Sequence, residues 1–341
     1  MDLETLMLTV YVWIDDWSKE QATGQKKRRG RPSRMSDSEI LTLGIVGQWR
    51  VGVPWRSERG MVRYMQAHGR GWFPQMLQVS AFNYRFRQLW RQFVALPQAL
   101  GQVLSGPQMV YEVVDSVPLP AYSVAQGKKW RQRHWLWSAS LGYSKSGWYW
   151  GHRWLISVTA QGVITGWVLA DATVQDRWLL QALLSGRKQG FIHLRPPTIT
   201  HYVKPSHRVH VPLKPVGPAP ATGAWTNRVY LADQAFNGQT WRDHWHDLYH
   251  ATLICPPAPN AKPTWSASQR AWLARHRQIV ETVFALLTDT FALKHLRSHS
   301  IWGCLARLSA IAAAHNFAIY LNRLLHRPDL ALPTLISCFF G

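Results

Sequence analysis

A single glutamate near the end of the chain restricts the possible folds more than any other residue. Residues 275–287 read RHRQIVETVFALL, and Glu281 stands among Ile279, Val280, Val283, Phe284, Leu286 and Leu287. Only 18 of the 341 residues are acidic, so one set in an apolar helical run needs a cause. Burying an unpaired carboxylate costs several kcal/mol or forces it to take up a proton. Two upstream aspartates supply a cause. Asp115 ends the strand-like run MVYEVVD, and Asp233 ends VYLAD. Three carboxylates from two strand ends and one helix make an oxygen-only ligand set of the kind magnesium prefers.

The charge balance points to the partner. Lys and Arg total 39, the formal net charge is +21, and the pI is near 10.5. Such an excess is the footprint of a polyanion, most simply nucleic acid, although it says nothing about chemistry. Cys255, Cys304 and Cys338 are widely separated and form no CxxC pair, which argues against a disulfide framework or a structural zinc site. No HExxH occurs, and His201, His207 and His210 fall at irregular spacing in a loop-like stretch. Asp2, Glu4, Asp15 and Asp16 exclude a signal peptide, so a reducing, cytoplasmic, nucleoid-associated protein is expected. The apolar run LSAIAAAHNFAIYL is broken by His315 and Asn316 and is shorter than a membrane span, so it reads as a core helix.

In chain order, residues 3–17 have helical spacing. The run KKRRGRPSR, with Arg28, Arg29 and Arg31, is either a solvated basic loop or an arm against phosphates. Ser36 and Glu39 form a capping box ahead of a helix over 37–50, and helices follow over 56–68 and 80–93, the last carrying Arg85, Arg87 and Arg91. Residues 97–107 read as a linker. Period-two patterning then gives a strand over 109–115. A long segment, 116–151, interleaves Lys128, Lys129, Arg131 and Arg133 with Trp130, Trp135 and Trp137, a mixture suited to backbone contacts and base stacking. Strands over 152–159 and 163–169 are joined by a hairpin, and a helix over 176–188 follows. Residues 187–227 are a Pro- and His-rich insertion. A strand over 228–232, a helix over 238–248, a strand over 250–255, a Ser266/Gln269-capped helix over 267–290 and a helix over 302–326 complete the chain. Glu112 faces away from Asp115 by strand alternation, and Asp171 and Asp176 read as solvent-facing or helix-capping acids.

This order of elements is that of a ribonuclease-H-like fold, in which the first strand lies beside the fourth. The motifs Asp115-Ser116-Val117-Pro118, LADQAFNG and RQIVETVFALL, with GYSKSGWYWGHRWLISVTAQGVITGWVLADATVQD between, resemble the DDE transposases of bacterial insertion sequences. The resemblance spans residues 1–326 and implies an α+β or α/β architecture: a mixed sheet with flanking helices, preceded by a helical DNA-binding domain. The expected division is 1–106, a catalytic domain over 107–330 and a tail over 331–341. It further implies an Asp115, Asp233, Glu281 triad holding two magnesium or manganese ions, with Arg277 contacting DNA. Double-stranded DNA is the implied partner, bound by a homodimer or higher oligomer away from any membrane. The chain departs from the usual pattern at Ala274, Thr288 and Ala235-Phe236. The competing readings are a noncatalytic DNA-binding relative and a nuclease of the same fold without strand transfer.

Overall fold

The computed structural model describes residues 1–22, 33–106, 110–122, 139–144, 147–189, 209–210, 228–258, 265–296, 298 and 300–336. Within them the chain is a mixed α+β structure. Five helices come first: α1 (Leu3–Ala22), α2 (Asp37–Val46), α3 (Glu58–His68), α4 (Val79–Gln88) and α5 (Trp90–Ser105). There follow β1 (Tyr111–Tyr122), β2 (Ser140–Ser144), β3 (Gly147–Thr159), β4 (Ile164–Asp171) and α6 (Asp176–Gln189). The chain ends through β5 (Val209–His210), β6 (Val229–Leu231), α7 (Gln239–Tyr249), β7 (Thr252–Ile254), α8 (Ala267–Asp289) and α9 (Ile301–Leu324). The sheet order is β5-β4-β3-β1-β6-β7, with β2 also on β3. The pairs β1–β3, β2–β3, β3–β4 and β4–β5 are antiparallel, while β1–β6 and β6–β7 are parallel.

Strand alternation sorts the core into two layers. Val113, Ile156 and Leu231 point to the side covered by α5, α8 and α9, whereas Val114, Leu155 and Tyr230 point to the side covered by α6 and α7. The apolar cluster of the first layer runs from Leu6 of α1 to Ile336, so the N-terminal helices and α9 share one core. Arg307 of α9 ties them further, bonding Glu58 of α3 and Asn83 of α4. α9 is the one described helix long and apolar enough to cross a membrane, and it is mostly buried inside the fold.

Both capping boxes form as expected, at Ser36/Glu39 and Ser266/Gln269. Three expectations are corrected. The segment 97–107 is not a linker: α5 continues through Pro97 to Ser105. The proline removes one helical donor, but Leu96, Leu100 and Leu104 still bury one face of α5. Buried Asn316 donates to the Pro97 carbonyl at 3.1 Å and also exchanges hydrogen bonds with Ile164 of β4. The strand after residue 109 does not stop at Asp115 but runs to Tyr122 through Pro118 and Pro120. Among the described residues only β3 pairs with it beyond Val113, so β1 is there an edge, where proline is tolerated. The N-terminal helices also break earlier than periodicity implied, at Gly47 and Leu89.

The β3–β4 hairpin turns at Gly162, which has φ +83, and its carbonyl meets the Nε2 of wholly buried His315 at 2.8 Å. Nε2–H therefore donates, which leaves Nδ1 as the unprotonated nitrogen, buried without a partner among the described residues. Burial pushes this imidazole down to about 4. An unfolded histidine protonates near 6.5 while the folded one resists, so the unfolded state binds more protons between those values. The stability contributed by neutral His315 is complete above about pH 6.5 and is lost as pH falls toward 4, on the order of 2–3 kcal/mol. His315→Gln keeps a donor for Gly162. Its unfolding free energy, measured in urea from pH 7 to 4, should fall less steeply than that of the wild type. Parallel curves would show that His315 does not carry the dependence.

Candidate active site

The parallel register places Asp115 and Asp233 level with each other. Val113 of β1 pairs with Leu231 of β6, and each aspartate lies two residues farther on. Both continue the face of Val113 and Leu231, toward α8. Neighbouring strands are about 4.8 Å apart, so two carboxylates at one level on one face must interact. The Ser116 N–H donates to Asp115 Oδ1 at 2.7 Å, and the Ala235 N–H to Asp233 Oδ1 at 2.9 Å. Arg277 of α8 reaches Asp115 Oδ2 with Nη2 at 3.4 Å, while its Nε is buried without an acceptor among the described residues. That guanidinium has donor capacity left beside the aspartates.

The electrostatics are those of a site short of positive charge. Burial pushes the Asp115 carboxyl up to about 6, and the Asp233 and Asp176 charges add to this against the opposing pull of the Ser116 N–H and Arg277. Burial likewise raises Asp233, with Arg277 opposing and Asp176 adding. Carboxylates that cost free energy to ionise together gain from a nearby cation.

Glu281 corrects the starting inference. It is exposed, and the buried stripe of α8 is Leu273, Val280, Val283 and Leu287. At 3.6 residues per turn, Arg277 lies about 40° and Glu281 about 80° round the helix from Leu273. Glu281 therefore sits outside the stripe but on the same edge as Arg277, one turn along. Among the described residues no hydrogen bond or ion pair joins it to either aspartate. Nor is any group of three acidic, His or Cys side chains close enough to form a ready metal cage among them.

Donor chemistry nonetheless fits magnesium or manganese. Asp115 and Asp233 offer adjacent oxygen donors with raised proton affinity, and Glu281 is an unburied carboxylate on the helix that carries Arg277. Arg28, Arg29, Arg31, Lys128, Lys129, Arg131 and Arg133 lie outside the described residues, as do most of the 187–227 insertion and residues 337–341. On the helical part, a concavity between α3, α9 and the turn after α8 is lined by Arg50, Arg56, Arg59, His295 and Arg307, with Glu58 the acid among them.

Two acids behave differently from their sequence reading, and a third has partners that reading did not show. Asp176 is the first residue of α6, and its carboxylate accepts from Ser116 Oγ at 2.5 Å and pairs with Arg153 at 3.2 Å. Asp171 is buried and accepts from Ser140 Oγ and from the Thr173 N–H and hydroxyl. Glu112 faces away from Asp115 as expected, but into a buried ion pair with Arg187 and Arg228. Their partners are 23 to 116 residues away in sequence, except for Thr173, two residues from Asp171, so local patterning carried no signal for the rest. No protein-family model, curated protein or solved structure matches the chain.

Proposed function

We propose that this protein is a DDE-type DNA transposase with a ribonuclease-H-like catalytic core. The observation that carries the reading is the placement of Asp115 on β1 beside Asp233, two residues past the end of the adjacent parallel β6, with Arg277 against Asp115. Two magnesium or manganese ions held by Asp115, Asp233 and Glu281 would activate the attacking water or 3′-hydroxyl and stabilise the leaving oxygen. Asp115 and Asp233 are held in place by the Ser116 and Ala235 amides, so their oxygens are oriented before any ligand arrives. Arg277 offsets their charge and keeps Nε–H donor capacity for a phosphate oxygen. Glu281, exposed on α8 one turn beyond Arg277, would supply the third carboxylate. The overall positive charge and the arginine-lined concavity suit element-end and target DNA, and pairing two ends calls for at least a dimer on DNA.

A second reading draws on the exposure of Glu281: a noncatalytic, transposase-derived DNA-binding protein. Cleavage and joining of end-containing DNA with magnesium or manganese, comparing wild type with Glu281→Gln, separates the two. The transposase reading expects cutting and joining by the wild type, both lost in Glu281→Gln while DNA binding persists. DNA binding without cutting in either protein supports the second reading. Cutting without joining marks a nuclease, and cutting indifferent to Glu281 removes this residue from the site.

A further inference from the structure

The aspartate pair has a support on the opposite face of the sheet. Side chains alternate along β1, so Asp115 faces α8 while Ser116 faces α6. There the Ser116 hydroxyl donates to Asp176 Oδ1 at 2.5 Å. Asp176 opens α6, where a carboxylate is favoured by the helix dipole. Arg153 of β3, which pairs in register with Pro118, places Nη1 3.2 Å from both Asp176 oxygens. The Asp176 and Arg153 side chains are 14% and 24% exposed, so this pair is largely withdrawn from solvent. The same Ser116 holds Asp115, because its N–H donates to Asp115 Oδ1 at 2.7 Å. One residue thus joins two carboxylates through the sheet, its hydroxyl on one side and its amide on the other.

We infer that Asp176, braced by Arg153, is a positioning residue that fixes Ser116 and through its amide orients Asp115 toward a divalent cation. This rests on the metal-dependent reading of Asp115 and Asp233 given above. Asp176 stands behind the sheet rather than beside the cation. Its role is the outer-shell one, in which a hydrogen-bonded partner fixes the ligand, and loss of such partners commonly costs about 10–100-fold in metal affinity or activity. Its negative charge also reaches both aspartates, raising each. Removing that charge alone would therefore lower their proton affinity, whereas removing the hydrogen bond would loosen Asp115. Ser116→Ala isolates the second effect because it leaves every charge in place.

The test is manganese binding to the full-length protein, followed by the loss of the free-ion electron paramagnetic resonance signal. The proteins are wild type, Asp115→Asn, Asp176→Asn, Ser116→Ala and Ser116→Thr. The expected result is manganese binding by the wild type that is lost in Asp115→Asn and weakened about tenfold in Asp176→Asn and Ser116→Ala. Ser116→Thr, which keeps the hydroxyl, should bind as the wild type does. Affinity for DNA without metal should be unchanged in Ser116→Ala and Ser116→Thr, which leave every charge in place, whereas a general loss of structure would lower it. If Asp176→Asn does not fold, Ser116→Ala carries the test, since it removes one hydroxyl. Wild-type binding in Ser116→Ala and in any folded Asp176→Asn, with loss in Asp115→Asn, overturns the positioning role and leaves the metal site standing. Wild-type binding in Asp115→Asn overturns the metal site and the positioning role with it.

Discussion

Glu112→Ala is expected to lower unfolding stability by about 3–5 kcal/mol, the usual cost of removing one partner of a buried ion pair. Glu112 is wholly buried under α6. Its Oε2 accepts from Arg187 and from Ser157 Oγ at 2.6 Å, and its Oε1 accepts from Arg228 at 2.6 Å. Although burial pushes this carboxyl up, the Arg187 and Arg228 charges prevail and hold it at about 2. A lowered carboxyl contributes stability that is present above about 4.5 and is lost as pH falls through 2. Alanine leaves Arg187, with a side chain only 8% exposed, without its carboxylate, a charge that the neutral hydroxyls of Tyr230 and Thr165 do not balance. Urea unfolding at pH 7 measures the loss, and a double-mutant cycle with Arg187→Met isolates the pair. A loss under about 1 kcal/mol, the range of exposed pairs, would mean that the network does not hold α6 to the sheet.

The second large effect has opposite signs in activity and stability. Under the proposed metal-dependent transposase function, Asp115→Asn is expected to reduce strand cleavage by about 10³-fold, because each 1.36 kcal/mol is a factor of ten and metal-ion charge stabilisation is worth several kcal/mol. The same change should stabilise the metal-free protein. The folded pKa of Asp115 is raised to about 6, so the folded state binds more protons and ionisation opposes folding. That penalty is absent below the unfolded value near 3.8, grows through the interval, and is complete above about pH 6. Its full size is on the order of 1–2 kcal/mol once partial solvent access is allowed for. Asparagine removes the penalty at pH 7.5 and changes nothing at pH 3.5, as paired thermal unfolding curves without divalent cation would show. Loss of both activity and stability at pH 7.5 would instead mark Asp115 as a structural residue. Loss of neither would end its assignment to the site.

Much of the fold was legible in the sequence, because local physics sets it. The capping boxes at Ser36 and Ser266 and the hairpin at Gly162 are each written within a few residues, and the structure contains all three. Asp115 and Asp233 stood out because each closes an apolar strand-like run. Only the tertiary structure decided the rest. That Val113 lies beside Leu231, and so Asp115 beside Asp233, depends on a crossover of more than a hundred residues. Glu281 looked buried because an apolar run on a helix marks a stripe without fixing its edges. Packing of α8 on the sheet put Leu273 and Val280 inside and Glu281 in solvent. The sequence reading ended the strand at Asp115, whereas β1 continues through Pro118 where its pairing with β6 has stopped at Val113. Asp176 read as a capping residue because Arg153 and Ser116 approach it only through the sheet. Sequence determined which residues carry charge and where the helices with capping boxes start. The packing of strands and helices decided which charges meet, since electrostatic partners are chosen by distance in space rather than along the chain.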